Sequence, residues 1–287
     1  MTTYVRLAAS QLEMAAEWLA NINSQTTSHS GYCGTSKEEI LESLHEDFVE
    51  GELTSLVAEL EGETIVGLIG FDSEDGFAEV WGPFSLSSNP KETLALWNFA
   101  TNEFPQLQTF SFFLHKDNRT QQEFMDTLQA TFRGKHLYYR LHQPTKTASH
   151  KLTFEIYSNQ DVQEFVELHD TEFPDTYYDA KTILERSLQQ GHTLYFAYFE
   201  ESFVGYTYFE EGTDSIHLEY FALNSGYRGQ GLGEELLRVT LDQVTSAGKF
   251  ASVTLTVDLL NNAANPLYEK VGFQVENELW HYRLEIK

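Results

Sequence analysis

Apolar positions along this chain follow two interchanging rhythms. Runs alternating apolar with polar residues, such as "TYVRLAA" near the start, predict strands; runs with apolar residues three and four apart predict helices. After the first strand, Ser10 with Glu13 and Ser36 with Glu39 have the spacing of capping boxes and predict the starts of two helices. "LTSLVAELEGETIVGLIGFDSEDGFAEVWGPFSL" predicts three strands, with turns at Glu61-Gly62 and over 72–76. A helix from Pro90, a strand "TFSFFLH", a helix near 121–132 and a strand "KHLYYRLH" follow.

The turn-rich stretch "QPTKTAS" (143–149) then interrupts the pattern, and a similar order begins again. "KLTFEIYS" predicts a strand, and helices follow at about 161–170 and 179–190. "HTLYFAYFEESFVGYTYFEEGTDSIHLEYFAL" predicts three strands. A glycine-rich turn then enters a helix reaching about Ala247. A strand "ASVTLTVD", a short helix around Tyr268 and a final strand in "ENELWHYRLEI" complete the series. Val66-Gly67 and Val204-Gly205 occupy matching places in the two three-strand stretches, at an offset of 138 residues (205 − 67). A repeat of this period implies two domains of one fold rather than a solenoid of short units. The expected organisation is an α+β protein with mixed sheets: residues 1–142, a linker at 143–150, and residues 151–287.

Composition narrows the class. Hydrophobic residues at 41% and aromatics at 14% suffice for two cores. No run approaches the about 18–20 apolar residues of a membrane span. "MTTYVRLAASQ" lacks the basic-then-apolar pattern of a signal peptide, and Cys33 is the only cysteine, so a cytoplasmic protein without an intrachain disulfide is expected. The formal net charge of −26 argues against nucleic acid as a partner. Two readings of that acidity stand: attraction of cationic partners such as amines, or solubility alone. The 10 histidines are scattered with no H-x-x-x-H and no cysteine cluster, so no metal site is expected.

The chemistry concentrates at "YRGQGLGEELL", residues 227–237, where Gly229, Gly231 and Gly233 lie between a strand and a helix. Backbone N–H groups at a helix start are unpaired and carry the positive end of the helix dipole, and glycines let an anion approach them. No Lys-Ser or Lys-Thr follows, which excludes the common phosphate loop. The spacing G-x-G-x-G and the late position in the chain speak against a dinucleotide fold. The segment reads R-x-x-G-x-G from Arg228, and 40 residues on (268 − 228) comes "NNAANPLYEKVGF" around Tyr268.

Together these segments resemble the signature of the GNAT superfamily of N-acetyltransferases, Q/R-x-x-G-x-G/A followed by N-x-x-A-x-x-L-Y-x-K-x-G-F. The second is matched by Asn261, Ala264, Leu267, Tyr268, Lys270, Gly272 and Phe273. The resemblance covers about 151–287 and implies a GNAT fold, a mostly antiparallel twisted sheet flanked by helices, that binds acetyl-CoA and acetylates a primary amine through a tetrahedral intermediate. The coenzyme pyrophosphate is then expected on Arg228, Gly229, Gln230, Gly231, Leu232, Gly233 and Glu234. Its pantetheine arm is expected along the backbone of Phe221, Ala222 and Leu223, with an oxyanion donor near Leu223. Asn261 is expected to bind the coenzyme near the last helix.

Tyr268 is the expected general acid for the departing thiolate, a base comparable to a cysteine thiolate of pKa ~8.5. His217 and Glu219 alternate on one side of the preceding strand, and either is a candidate base; attack by an already neutral amine, with no side-chain base, stays open. Asp175, Tyr177, Tyr178 and Asp179, in the region that walls the acceptor site of the family, are candidates for holding a cationic amine, or an acidic loop with tyrosines packed on the core. The expected acceptor is a small cationic molecule or peptide; a different acyl donor, or a non-catalytic acyl-CoA sensor, are the rival readings. The first half has "SSNPKETLALW" where the glycine turn belongs and "MDTLQATFRG" where Tyr268 belongs, so it is expected to be a degenerate twin that has lost coenzyme binding.

Overall fold

Strand and helix alternate as the apolar rhythms predict. The computed structural model describes residues 2–87, 89–142, 144, 151–159, 162–174, 176–246, 248 and 250–286. In chain order the elements are β1 (Thr2–Ala8), α1 (Leu12–Asn23), α2 (Lys37–Asp47), β2 (Val49–Glu50), β3 (Leu53–Glu61), β4 (Thr64–Glu74), β5 (Phe77–Ser85), α3 (Pro90–Glu103), β6 (Thr109–His115), α4 (Arg119–Leu128) and β7 (Thr131–Leu141). Then follow β8 (Leu152–Ile156), α5 (Gln163–Glu172), α6 (Ala180–Arg186), β9 (His192–Phe199), β10 (Ser202–Glu211), β11 (Ser215–Leu223), α7 (Leu232–Thr245), β12 (Ser252–Asp258), α8 (Asn265–Val271) and β13 (Gln274–Glu285). No described helix is long and apolar enough to cross a membrane.

Two compact units form, residues 1–136 with 277–287 and residues 137–276. In the first unit the sheet order is β1-β3-β4-β5-β6-β13, with β2 on β3. Its pairs are antiparallel except for β5 with β6. One face packs Trp97, Phe110, Phe112 and Phe124 beneath α3 and α4; the other packs Leu12, Leu19, Leu44 and Phe48 from the α1–α2 side. In the second unit the order is β7-β12-β11-β10-β9-β8, and β11 with β12 is the parallel pair. Here α7 and α8 cover one face through Leu237, Leu241 and Val271, and α5 and α6 cover the other through Phe165 and Ile183. Each such side chain, fully buried, stabilises its unit by about 1.5–3 kcal/mol. The units cross chain order, because the final strand β13 completes the sheet of the first.

The repeat is carried by the ladders. Gly67 faces Ser85 and Asp72 faces Glu79 in the first unit; Gly205 faces Leu223 and Glu210 faces His217 in the second, with the 138-residue offset at all four positions.

Several local expectations change. Ser10 does not cap α1; a single 3-10 turn precedes it, and the Gln11 Oε1 atom accepts the Ala8 N–H at 2.9 Å. Ser36 caps α2 through the Glu39 N–H at 3.2 Å, but the Glu39 carboxylate takes the Thr35 N–H instead of that of Ser36. The helix expected to Phe132 stops at Leu128, where Gln129 turns left-handed and β7 begins at Thr131. The helix expected to reach Gln190 ends at Arg186. Asp161, Ala247 and, apart from Pro144, the expected linker at 143–150 lie outside the described residues.

Candidate active site

The second unit contains a parallel pair that comes apart. β11 and β12 pair at Ser215–Ser252, Ile216–Val253 and His217–Thr254, and both strands then run on without a ladder between them. The edge of β11 from Leu218 to Leu223 therefore faces a gap. At its mouth the His217 Nδ1 atom lies 2.8 Å from Thr254 Oγ1, and the Tyr138 ring stacks on the imidazole at 6.4 Å.

A β-bulge sets which side chains face which way. Tyr208 faces Tyr220 and Phe209 faces Leu218, so Glu219 is the extra residue. Simple alternation would put Leu218 and Phe221 on opposite faces, yet both pack on the α7–α8 face, while Tyr220 and Ala222 join the α5–α6 face. His217 and Glu219 do share a side, with Nε2 and Oε1 3.8 Å apart. Glu219 is 33% exposed, yet desolvation is the largest influence on it and raises its pKa above the usual carboxylate value. This carboxylate thus reaches water while partly desolvated by the protein around it.

Beyond β11 comes the glycine turn. Gly229 and Gly231 have φ of 74° and 82°, the left-handed region that glycine enters without strain. A Cβ at either would meet nothing within 4 Å, so the protein itself leaves that space open. Gly231 is the N-cap of α7 and offers no side chain to its first-turn N–H groups. A Cβ on Gly233 would make only ordinary contacts, the nearest at 3.5 Å to Phe221. Glycine in a first turn costs about 1 kcal/mol relative to alanine, and nothing within the chain requires it there.

The other turn residues brace this loop. The Arg228 Nε atom donates to Leu223 O at 2.9 Å and its guanidinium pairs with Glu172. Gln230 Nε2 donates to Gly226 O at 3.2 Å, and Leu232 is buried. Glu234 pairs with Lys270 at 2.5 Å and Arg238 at 3.0 Å, which hold its carboxyl below the usual range, and so ties α7 to α8. On α8, Tyr268 is buried against Tyr139, Phe221 and Phe273. Burial pushes its phenol well above the ordinary value, so it stays protonated. Asn261 Oδ1 accepts the Ala264 N–H at 3.0 Å, which leaves its amide N–H groups as the coenzyme-binding option.

Among the described residues, the acceptor-side candidates do not converge as a cation cage. Asp179 caps α6, with Oδ1 accepting the Thr182 N–H at 2.7 Å, and hydrogen bonding from the Thr182 side chain and then its backbone lowers its pKa. Tyr178 lies under the Arg186 guanidinium at 4.5 Å, and Tyr177, 66% exposed, rests against Tyr178. Asp175 lies outside the described residues.

Sequence reasoning missed the groups that hold this wall. His169 is fully enclosed; its Nε2–H donates to Tyr178 O at 2.9 Å, so its Nδ1 accepts from Tyr206 OH at 2.6 Å. Burial lowers its pKa and keeps it neutral. The signal was present, because Phe165, Leu168 and His169 share one helical face. Tyr220 OH takes up Thr176 Oγ1 at 2.6 Å and the Tyr178 N–H at 3.2 Å. Arg186 grips Glu210 with two bonds of 3.1 Å, and Tyr208 OH donates to the same carboxylate at 2.7 Å. No metal-binding cluster occurs among the described residues.

Residues 162–273 match the sequence model of the acetyltransferase (GNAT) family. No curated protein matches the chain. Its fold is similar to that of a GCN5-related N-acetyltransferase from Sphaerobacter thermophilus, at TM-score 0.76 and 14% identity, covering 100% of this chain and 96% of the other. A tandem GNAT protein from the clavulanic acid biosynthesis pathway superposes at TM-score 0.67 and 16% identity, covering 99% and 98%. A GCN5-related N-acetyltransferase from Kribbella flavida gives 0.54 and 14%, covering 86% and 93%. Acyl transfer is the general chemistry of this family. Residues 162–273 thus carry the family match, and the chain as a whole has a fold similar to that of a tandem GNAT protein.

Proposed function

We propose that the second unit, residues 137–276, transfers acetyl from acetyl-CoA to the primary amine of a small cationic molecule or peptide. The observation that carries this reading is the parted β11–β12 pair, which leads to an α7 start with no side-chain cap and open space at Gly229 and Gly231. An anionic pyrophosphate fits that start by the dipole and free N–H groups. The edge of β11 at Phe221, Ala222 and Leu223 has no ladder to β12, and although Arg228 holds Leu223 O it is the proposed seat of a pantetheine amide.

Bound acetyl-CoA would supply an activated acetyl thioester. The chain's own groups do the rest. Glu219, with its raised pKa, accepts the amine proton directly or through water, and His217 is the second candidate for that role. A backbone N–H near Leu223 stabilises the developing oxyanion. Tyr268, kept protonated by burial, gives its proton to the leaving thiolate as the carbon–sulfur bond breaks. The Glu219 carboxylate also favours an ammonium group over an anionic acceptor, which agrees with the net charge of −26.

The test pairs calorimetric titration of acetyl-CoA with a thiol-release screen across polyamines, amino sugars, aminoglycosides and peptide N-termini. Saturable binding with release for one amine class is expected. Absence of binding overturns the coenzyme assignment; binding without release for any amine favours an acyl-CoA sensor.

A further inference from the structure

The first unit has the same parting of strands, and its chain fills it. β5 and β6 pair at Phe77–Thr109, Ala78–Phe110 and Glu79–Ser111 and then separate, the counterpart of the β11–β12 pattern. Beyond that point residues 29–31, from the connection between α1 and α2, lie on the edge of β6 that β5 has left. Ser30 forms an antiparallel bridge with Leu114. The Gly31 N–H donates to Phe113 O at 2.6 Å, and the His115 N–H donates to His29 O at 3.0 Å. That is the edge facing β5, since the opposite edge of β6 pairs with β13.

The inserted segment is paired along most of its backbone, as a buried strand requires. Asn23, wholly buried, accepts the Ser30 N–H at 2.7 Å and donates to Ser30 O at 3.2 Å. Asn118 donates to His29 O at 3.3 Å. Gly31 fits because it has no side chain; a Cβ there would lie 2.8 Å from Leu279 and 2.9 Å from Phe113.

The opposite wall is closed too. Ser30 Oγ reaches Val80 O at 3.4 Å, and Gln121 Nε2 donates to Pro83 O at 3.0 Å. By the 138-residue offset, Val80 and Pro83 correspond to Leu218 and Phe221 on the open edge of β11. Asn118 caps the Gln121 N–H as Asn261 caps that of Ala264, so Gln121 stands where the second unit has a methyl group. In the second unit the shorter connection at 173–179 is tied to Tyr220, and no isolated bridge joins it to β12 among the described residues.

We propose that residues 29–31 occupy, as an internal peptide strand, the slot that corresponds to the coenzyme cleft of the second unit, and that the molecule takes up one acetyl-CoA per chain. The count of one rests on the function proposed above; the occupied slot does not. Residue-resolved hydrogen exchange on the full chain tests the slot directly. The amides of Gly31 and His115 should exchange within about tenfold of the core amides of β6, with or without acetyl-CoA. Calorimetry should give one site on the native chain and none in Gly231→Val. Fast exchange at Gly31 and His115, or a second acetyl-CoA site that survives in Gly231→Val, overturns the proposal. If the native chain binds no acetyl-CoA, the proposed function fails, and the exchange rates still decide whether the slot is filled.

Discussion

In the second unit β11 leaves β12 after His217 and ends in a turn whose glycines open the uncapped start of α7. In the first, β5 leaves β6 after Glu79 and leads to α3, where Asn89 Oδ1 takes the Lys91 N–H at 3.1 Å and Pro90 has no N–H to offer. A further difference lies at α8 and α4, where the matching bonds of Asn261 to the Ala264 N–H and Asn118 to the Gln121 N–H put Met125 of the first unit at the place of Tyr268. One backbone plan thus yields an uncapped helix start and a buried phenol, or a self-capped helix and an apolar side chain. The ladder is shared; the chemistry lies in how its loose edges are satisfied.

Substitutions at corresponding places sharpen that contrast. The largest effect is expected from Gly231→Val, which puts a β-branched residue at φ 82° and fills the open space. Acetyl-CoA affinity should fall at least about 100-fold, or ~2.7 kcal/mol, in a titration, with a backbone cost of about 1–2 kcal/mol. Next, Tyr268→Phe should lower kcat about 100-fold with little change in acetyl-CoA affinity. Met125→Leu at the matching place should leave turnover intact and cost less than about 1.5 kcal/mol in denaturant unfolding. Full turnover in Tyr268→Phe at every pH would remove the phenol from the mechanism.

Glu219→Gln separates function from stability. A carboxyl whose folded pKa is raised binds its proton more tightly in the native state, so stability falls as pH rises from the ordinary carboxylate value of about 4.3 towards the folded value. The variant should therefore melt higher than wild type at pH 7, with the gap closing below about pH 4, while turnover drops. A lower melting temperature at pH 7 would contradict the desolvation of this carboxylate. The smallest effect is expected from Asn89→Ala, which removes a cap worth about 1 kcal/mol and should leave acetyl-CoA affinity unchanged.

Much of this was legible in the chain. The meanders, Pro90 and the 138-residue offset follow from short-range patterns, and so does the need for glycine at 229 and 231. What escaped depends on partners distant in sequence. The bulge at Glu219 arises where β11 meets β10, so strict alternation does not carry past it to Phe221, while the His217–Glu219 pair stays on one side. Asp179 was weighed as a substrate group because it lies among tyrosines, although an aspartate opening a helix is a cap first. The ion pair of Arg186 with Glu210 joins residues on separate elements, and nothing local announces it. The segment at 29–31 looks like an ordinary loop until β6 is placed beside it.

The position of β13 bears on how the protein is made. A ribosome releases β6 long before residues 277–287 exist, so the outer edge of "TFSFFLH" waits for a partner through most of translation. An apolar strand with an open edge is a template for wrong pairing. The first half in chain order thus cannot finish its own sheet, and the whole polypeptide must emerge before the earliest-made unit is complete. Cutting the gene at the midpoint would separate the nascent unit from the strand that seals it.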